Sequence, residues 1–183
     1  ATAPAPRFVT SMAVSTHWDW WYVPPFVDDW RTLGDADETN DTPAGGWAPL
    51  PLPEAGAYGA RYAASVEYEW RVLLDVIAAE PSDDAVFFIV GDHQPFLGQG
   101  WSRESYRTPV HVVTRHPATL EAFEVAGFQR GLFAAPQPST PLGHEGLFSL
   151  LVTRLLMADG QADAAQAWAP RGIALSALRA TAR

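Results

Sequence analysis

Tyr58, Tyr62, Val66, Trp70, Leu73 and Ile77 recur at steps of three or four, with Arg61, Glu67, Glu69 and Arg71 between them. That period predicts an amphipathic helix over residues 58–77, its apolar stripe turned toward a core. Pro81-Ser82-Asp83-Asp84 then breaks the period. Residues 85–90 follow as a short, continuously apolar run rich in β-branched and aromatic side chains, the pattern of a strand buried on both faces of a mostly parallel sheet. Residues 8–14 and 109–114 read as further strands. Residues 119–123, 147–156, 162–168 and 173–181 read as helical. A strand, helix, strand succession over residues 8–90 implies a crossover between parallel strands, right-handed in nearly all cases. The predicted fold class is therefore α/β, a three-layer αβα arrangement around a mostly parallel sheet.

In such sheets ligands bind beyond the carboxyl ends of the strands. The run at 85–90 ends at Gly91, and Asp92 and His93 follow directly. Asp oxygen and His nitrogen both bind divalent ions, so the pair is a candidate half of a metal site. The competing reading is a turn in which Asp92 makes an Asx-type hydrogen bond and His93 is exposed. Parallel strands would carry His17, just past the strand at 8–14, to the same crevice. If the strand at 109–114 is parallel as well, Arg115 points there too and could hold an oxyanion bidentately. Its alternative is structural: Pro117 suits the first position of a helix, which makes Arg115 and His116 part of a helix start. His111, between Val110 and Val112, reads as a core or edge residue. His144 and Glu145 open the helix at 147–156 and form a second candidate ligand cluster.

Composition narrows the classes. The 183 residues, 48% of them hydrophobic, suffice for one domain with a core. All twelve basic residues are Arg and the formal charge is -9, which argues against a nucleic-acid groove or electrostatic docking on an anionic membrane. The absence of Lys and Cys removes Schiff-base and thiolate chemistry. No stretch approaches the roughly 20 apolar residues of a membrane span. Residues 1–6, Ala and Pro with one Thr, read as a linker remnant ahead of a domain over residues 7–183. Residues 18–53 have no sustained period but carry Trp18, Trp20, Trp21, Tyr22, Trp30 and Trp47. Such a loop folds onto something, as a cover for the core edge or as a wall that grips an apolar or sugar-bearing ligand.

Gly91-Asp92-His93 after an apolar strand resembles the Asp-His metal-ligand pair of the alkaline phosphatase and sulfatase superfamily. The closer likeness is to its membrane-anchored branch, which includes phosphoglycerol transferases and lipoteichoic acid synthases. Residues 8–17, ending in His17, resemble the strand whose Ser/Asn-His contacts the substrate's phosphate. Residues 58–77 and 108–115 resemble the helix and strand on either side of the Asp-His strand. The likeness covers residues 7–158, in order. It implies the C-terminal half of a catalytic domain, an incomplete half that supplies Asp92 and His93 to a divalent metal (Mn, Mg, Zn or Ca) and His17 and Arg115 to a phosphate or sulfate ester. It further implies a nucleophile upstream of this segment, membrane contact only through an N-terminal part, and an extracytoplasmic location on a bacterial membrane. The sequence departs from the family pattern at Gln94-Pro95, where many relatives carry Gly, and at Trp18-Asp19-Trp20, where a Pro-aromatic pair is common. The alternative function is a non-catalytic α/β module that binds a glycan or a protein through its Trp-rich loop.

Overall fold

The computed structural model describes residues 7–17, 20, 23–24, 26–29, 58–95, 107–132, 142–161 and 168–172. Its elements are α1 (Tyr58–Ala79), β1 (Val86–Val90), β2 (Val110–Thr114), α2 (Pro117–Val125) and α3 (His144–Ala158). Helices and strands are mixed, as an α/β chain requires. The chain divides into two compact units, Ala1–Ala79 with Pro95–Ser102, and Glu80–Gln94 with Arg103–Arg183.

The first unit is built on α1. Trp20 is buried and packs obliquely on Tyr62, ring centroids 5.2 Å apart, while its Nε1 donates to the Thr16 carbonyl at 2.8 Å. The Ser15 hydroxyl bonds the Glu69 carboxylate, and the Arg71 guanidinium lies 3.5 Å from the Phe26 ring centroid and 3.5 Å from Asp28. The buried positions of α1 are Arg61 and Ser65, not the apolar stripe. Ser65 satisfies its hydroxyl locally by donating to the Tyr62 carbonyl at 2.8 Å. Along the stripe, Tyr62, Val66, Trp70, Leu73 and Ile77 are only half-buried, and Leu74 and Val76 are exposed.

Residues 8–14 form no strand. Phe8, Val9, Met12 and Val14 are 70–84% exposed and the backbone joins no ladder among the described residues. Apolar β-prone residues make a strand only where a neighbouring strand takes up their backbone groups. The crossover expected from this segment through α1 to β1 is accordingly not formed among the described residues.

The second unit holds the sheet. β1 and β2 pair antiparallel, with Val86 opposite Thr114, Phe88 opposite Val112 and Val90 opposite Val110. This corrects the expectation that residues 109–114 run parallel to β1. The ladder continues past Val90, because the Gly91 N–H donates to the Pro109 carbonyl at 3.0 Å. A chain that turns back in this way needs no helical crossover. Phe88 packs toward Phe123 of α2, which is 2% exposed and meets Phe128 edge-on at 5.3 Å. Ala122, Leu147 and Leu150 complete the buried apolar set of this unit among the described residues, where α2 rests on α3 and on β2.

Gly146 permits a close approach at the start of α3, since a Cβ there would lie 2.6 Å from the Pro170 carbonyl oxygen. The turn at 168–172 is pinned to that spot. Trp168 Nε1 donates to the Gly146 carbonyl at 3.2 Å and the Ala169 N–H donates to Ser149 Oγ at 3.1 Å. Gly172 takes a left-handed φ of +70° there, a conformation that favours glycine.

Candidate functional site

The end of β1 presents Asp92 and His93 on a short turn held from two sides. On one side is the Gly91 N–H to Pro109 bond; on the other, the Gln94 side-chain amide donates to the Arg107 carbonyl. Gly91 is closely packed: an added Cβ would meet Thr108 Cβ at 3.1 Å and Pro109 Cδ at 3.2 Å, so those side chains would have to give by a few tenths of an ångström. Within the turn, Asp92 Oδ1 accepts from the His93 N–H at 2.8 Å. The local hydrogen bond of the turn reading is therefore present, and it occupies only one carboxylate oxygen.

The other oxygen, Oδ2, lies 3.5 Å from His93 Nε2, with the two side chains 82% and 66% exposed. His93 Nδ1 lies 2.9 Å from the Gln94 carbonyl oxygen. A carbonyl can only accept, so Nδ1 carries the proton in this bond and the neutral ring has its lone pair at Nε2. Two acceptors thus lie 3.5 Å apart, a spacing that a shared cation could bridge. Two ligands on tetrahedral bonds of about 2.0–2.1 Å are separated by roughly 3.3–3.4 Å, close to the observed spacing. Imidazole and carboxylate suit zinc and manganese. The donor set fits half of a divalent cation site. Among the described residues no group of three or more His, Cys, Asp or Glu is gathered to complete one.

Thr108 links this turn to α3, its Oγ1 lying 3.0 Å from Nε2 of His144, the first residue of that helix. Neither Gln94 nor Thr108 drew notice as a site residue in the sequence. Gln94 follows a candidate ligand, which is a weak signal, and its acceptor at Arg107 is a main-chain group that no side-chain pattern reveals.

Arg115 stands elsewhere. The antiparallel register puts it at the opposite end of the ladder from Asp92 and His93, where its guanidinium donates to the Glu80 carbonyl at 2.8 Å. His116 is the N-cap of α2, accepting from the Thr119 N–H through Nδ1 at 3.3 Å, with Pro117 behind it in the first turn. Arg115 and His116 thus form the helix start that Pro117 suggested. His111 sits mid-strand opposite Ile89, and burial holds its pKa below the usual histidine value. His17 belongs to the first unit and donates its backbone N–H to the Val14 carbonyl at 2.9 Å. Of the aromatic loop, Trp20 is a packing residue; Trp18, Trp21, Trp30 and Trp47 lie outside the described residues.

No protein family, curated protein or solved structure matches the chain. No helix among the described residues is long and apolar enough to cross a membrane.

Proposed function

We propose that this chain supplies the C-terminal half of the site of a metal-dependent hydrolase or transferase that acts on phosphate or sulfate esters. The observation that carries the reading is the convergence of Asp92 Oδ2 and His93 Nε2, exposed and 3.5 Å apart just past the end of β1. An exposed carboxylate beside an imidazole contributes little to stability, at most about 1 kcal/mol. The order of segments that resemble the membrane-anchored sulfatase-like branch gives the pair its chemical context.

In this reading Asp92 and His93 hold a divalent ion. The ion, when bound, stabilises charge on the transferring oxygens. The antiparallel β1 and β2 pair would then be part of a larger, mostly parallel, three-layer αβα domain, since antiparallel edge strands are common on such sheets. The nucleophile would come from the other half of that domain, in a parent anchored on the extracytoplasmic side of a membrane. Arg115, at the far end of the ladder, is left out of this reading.

Calorimetric titration with Mn²⁺ and Zn²⁺ tests the reading. The wild-type chain is expected to bind at one site, and the double variant Asp92→Ala with His93→Ala to lose at least about 100-fold in affinity, on the order of 2.7 kcal/mol. Equal binding by both proteins would refute it.

A further inference from the structure

We infer that Gln94 is the positioning residue of this cation site: it clamps the turn and thereby fixes which nitrogen of His93 is presented. The inference rests on the reading of Asp92 and His93 given above. Gln94 makes two bonds with different jobs. Its side-chain amide reaches across to the Arg107 carbonyl, thirteen residues along the chain, and so ties the turn to the segment that leads into β2. Its own carbonyl accepts from His93 Nδ1–H at 2.9 Å. The first bond holds the peptide that makes the second.

The geometry explains why the tie is needed. The Gly91 N–H to Pro109 bond secures the turn before Asp92. Without the Gln94 amide, no other hydrogen bond between this turn and the rest of the chain secures it after His93 among the described residues, and the carbonyl would be free to rotate away from Nδ1. An imidazole that loses its Nδ1–H acceptor can carry its proton on Nε2, which removes the lone pair from the nitrogen that lies 3.5 Å from Asp92 Oδ2. Metal-bound imidazoles characteristically donate their second nitrogen to a carbonyl or carboxylate, and removal of such partners costs 10–100-fold in metal affinity. The role suits Gln or another donor of that length. Asn is a methylene shorter, and Glu and Met cannot donate.

The test uses the full chain with Gln94→Met, which keeps the length and apolar volume of the side chain but removes the donor, beside Gln94→Ala. Two quantities are read: Zn²⁺ affinity by calorimetry, and the tautomer of His93 by ¹⁵N–¹H correlation spectroscopy of the metal-free protein. Both variants are expected to bind Zn²⁺ about tenfold more weakly. In both, the His93 ring signal should move from the Nδ1–H form toward the Nε2–H form while the thermal midpoint stays close to wild type. If wild type binds Zn²⁺ through Asp92 and His93 and Gln94→Met binds equally well with the tautomer unchanged, the positioning role is overturned and the cation site stands. If affinity falls only in step with a lowered thermal midpoint and the tautomer does not move, Gln94 is merely structural and the inference also fails. If wild type and the Asp92→Ala, His93→Ala variant bind alike, both the site and the role of Gln94 are refuted.

Discussion

The two ends of the β1 and β2 ladder carry similar side chains and put them to opposite uses. At one end stand Thr114, Arg115 and His116; at the other, Asp92, His93, Thr108 and, through Thr108, His144. At the first end the polar groups are consumed by the fold. Thr114 Oγ1 donates to the Ala85 carbonyl at 2.8 Å and accepts from the His116 N–H at 3.1 Å, Arg115 donates to Glu80, and His116 caps α2. At the second end the bonds that tie the turn to its neighbours are made by Gly91 and Gln94, which leaves Asp92 Oδ2 and His93 Nε2 exposed and 3.5 Å apart. A histidine at a strand end becomes a candidate ligand only when its neighbours have taken over the work of holding the chain. His116 does that work itself, and His93 does not.

The comparison breaks most severely if the ladder itself is lost. Phe123→Ala removes the buried ring that joins α2 to Phe88 and Phe128, and is expected to cost about 3–5 kcal/mol, erasing both ends together. Urea unfolding followed by circular dichroism would show it as a midpoint shift at constant slope. A smaller change should separate the ends. His116→Ala removes the α2 cap at a cost of about 1 kcal/mol and should leave Zn²⁺ binding unchanged, because the capping end lies away from the proposed cation site. Reduced Zn²⁺ affinity at full stability would blur the distinction drawn here.

The smallest effect concerns His111, between the two ends. Burial lowers its folded pKa, so the unfolded chain takes up the proton more readily. Stability is therefore complete above the unfolded value of about 6.5 and is lost as pH falls through that value toward the folded one. Urea midpoints measured on either side of this window should differ less for His111→Val than for wild type.

Local pattern carried part of the fold. The period of residues 58–77 identified α1, the punctuation at Pro81 and Gly91 framed β1, and Pro117 marked the start of α2. Strand direction was not legible, because Val110, Val112 and Val113 present the same apolar row whichever way the strand runs, and the deciding bond from Gly91 to Pro109 joins main-chain atoms. For the same reason Arg115 was drawn to the wrong end of the ladder, and Phe8, Val9, Met12 and Val14, apolar enough for a strand, stand exposed without a ladder partner among the described residues. Asp92 and His93 were legible as residue types. What distinguishes them from a plain turn is the 3.5 Å approach of Nε2 to Oδ2 beside the tie from Gln94 to Arg107, and neither has a trace in a dipeptide.

The proposed function requires that Asp92 and His93 take a cation. Crystals of the chain grown with Zn²⁺ or Mn²⁺, with diffraction recorded on both sides of the metal absorption edge, would locate it directly. The prediction is an anomalous peak within bonding distance of both Asp92 Oδ2 and His93 Nε2, with His93 Nδ1 still bonded to the Gln94 carbonyl. A peak at some other cluster, or none at the end of β1 while the metal is present in excess, would contradict the central claim.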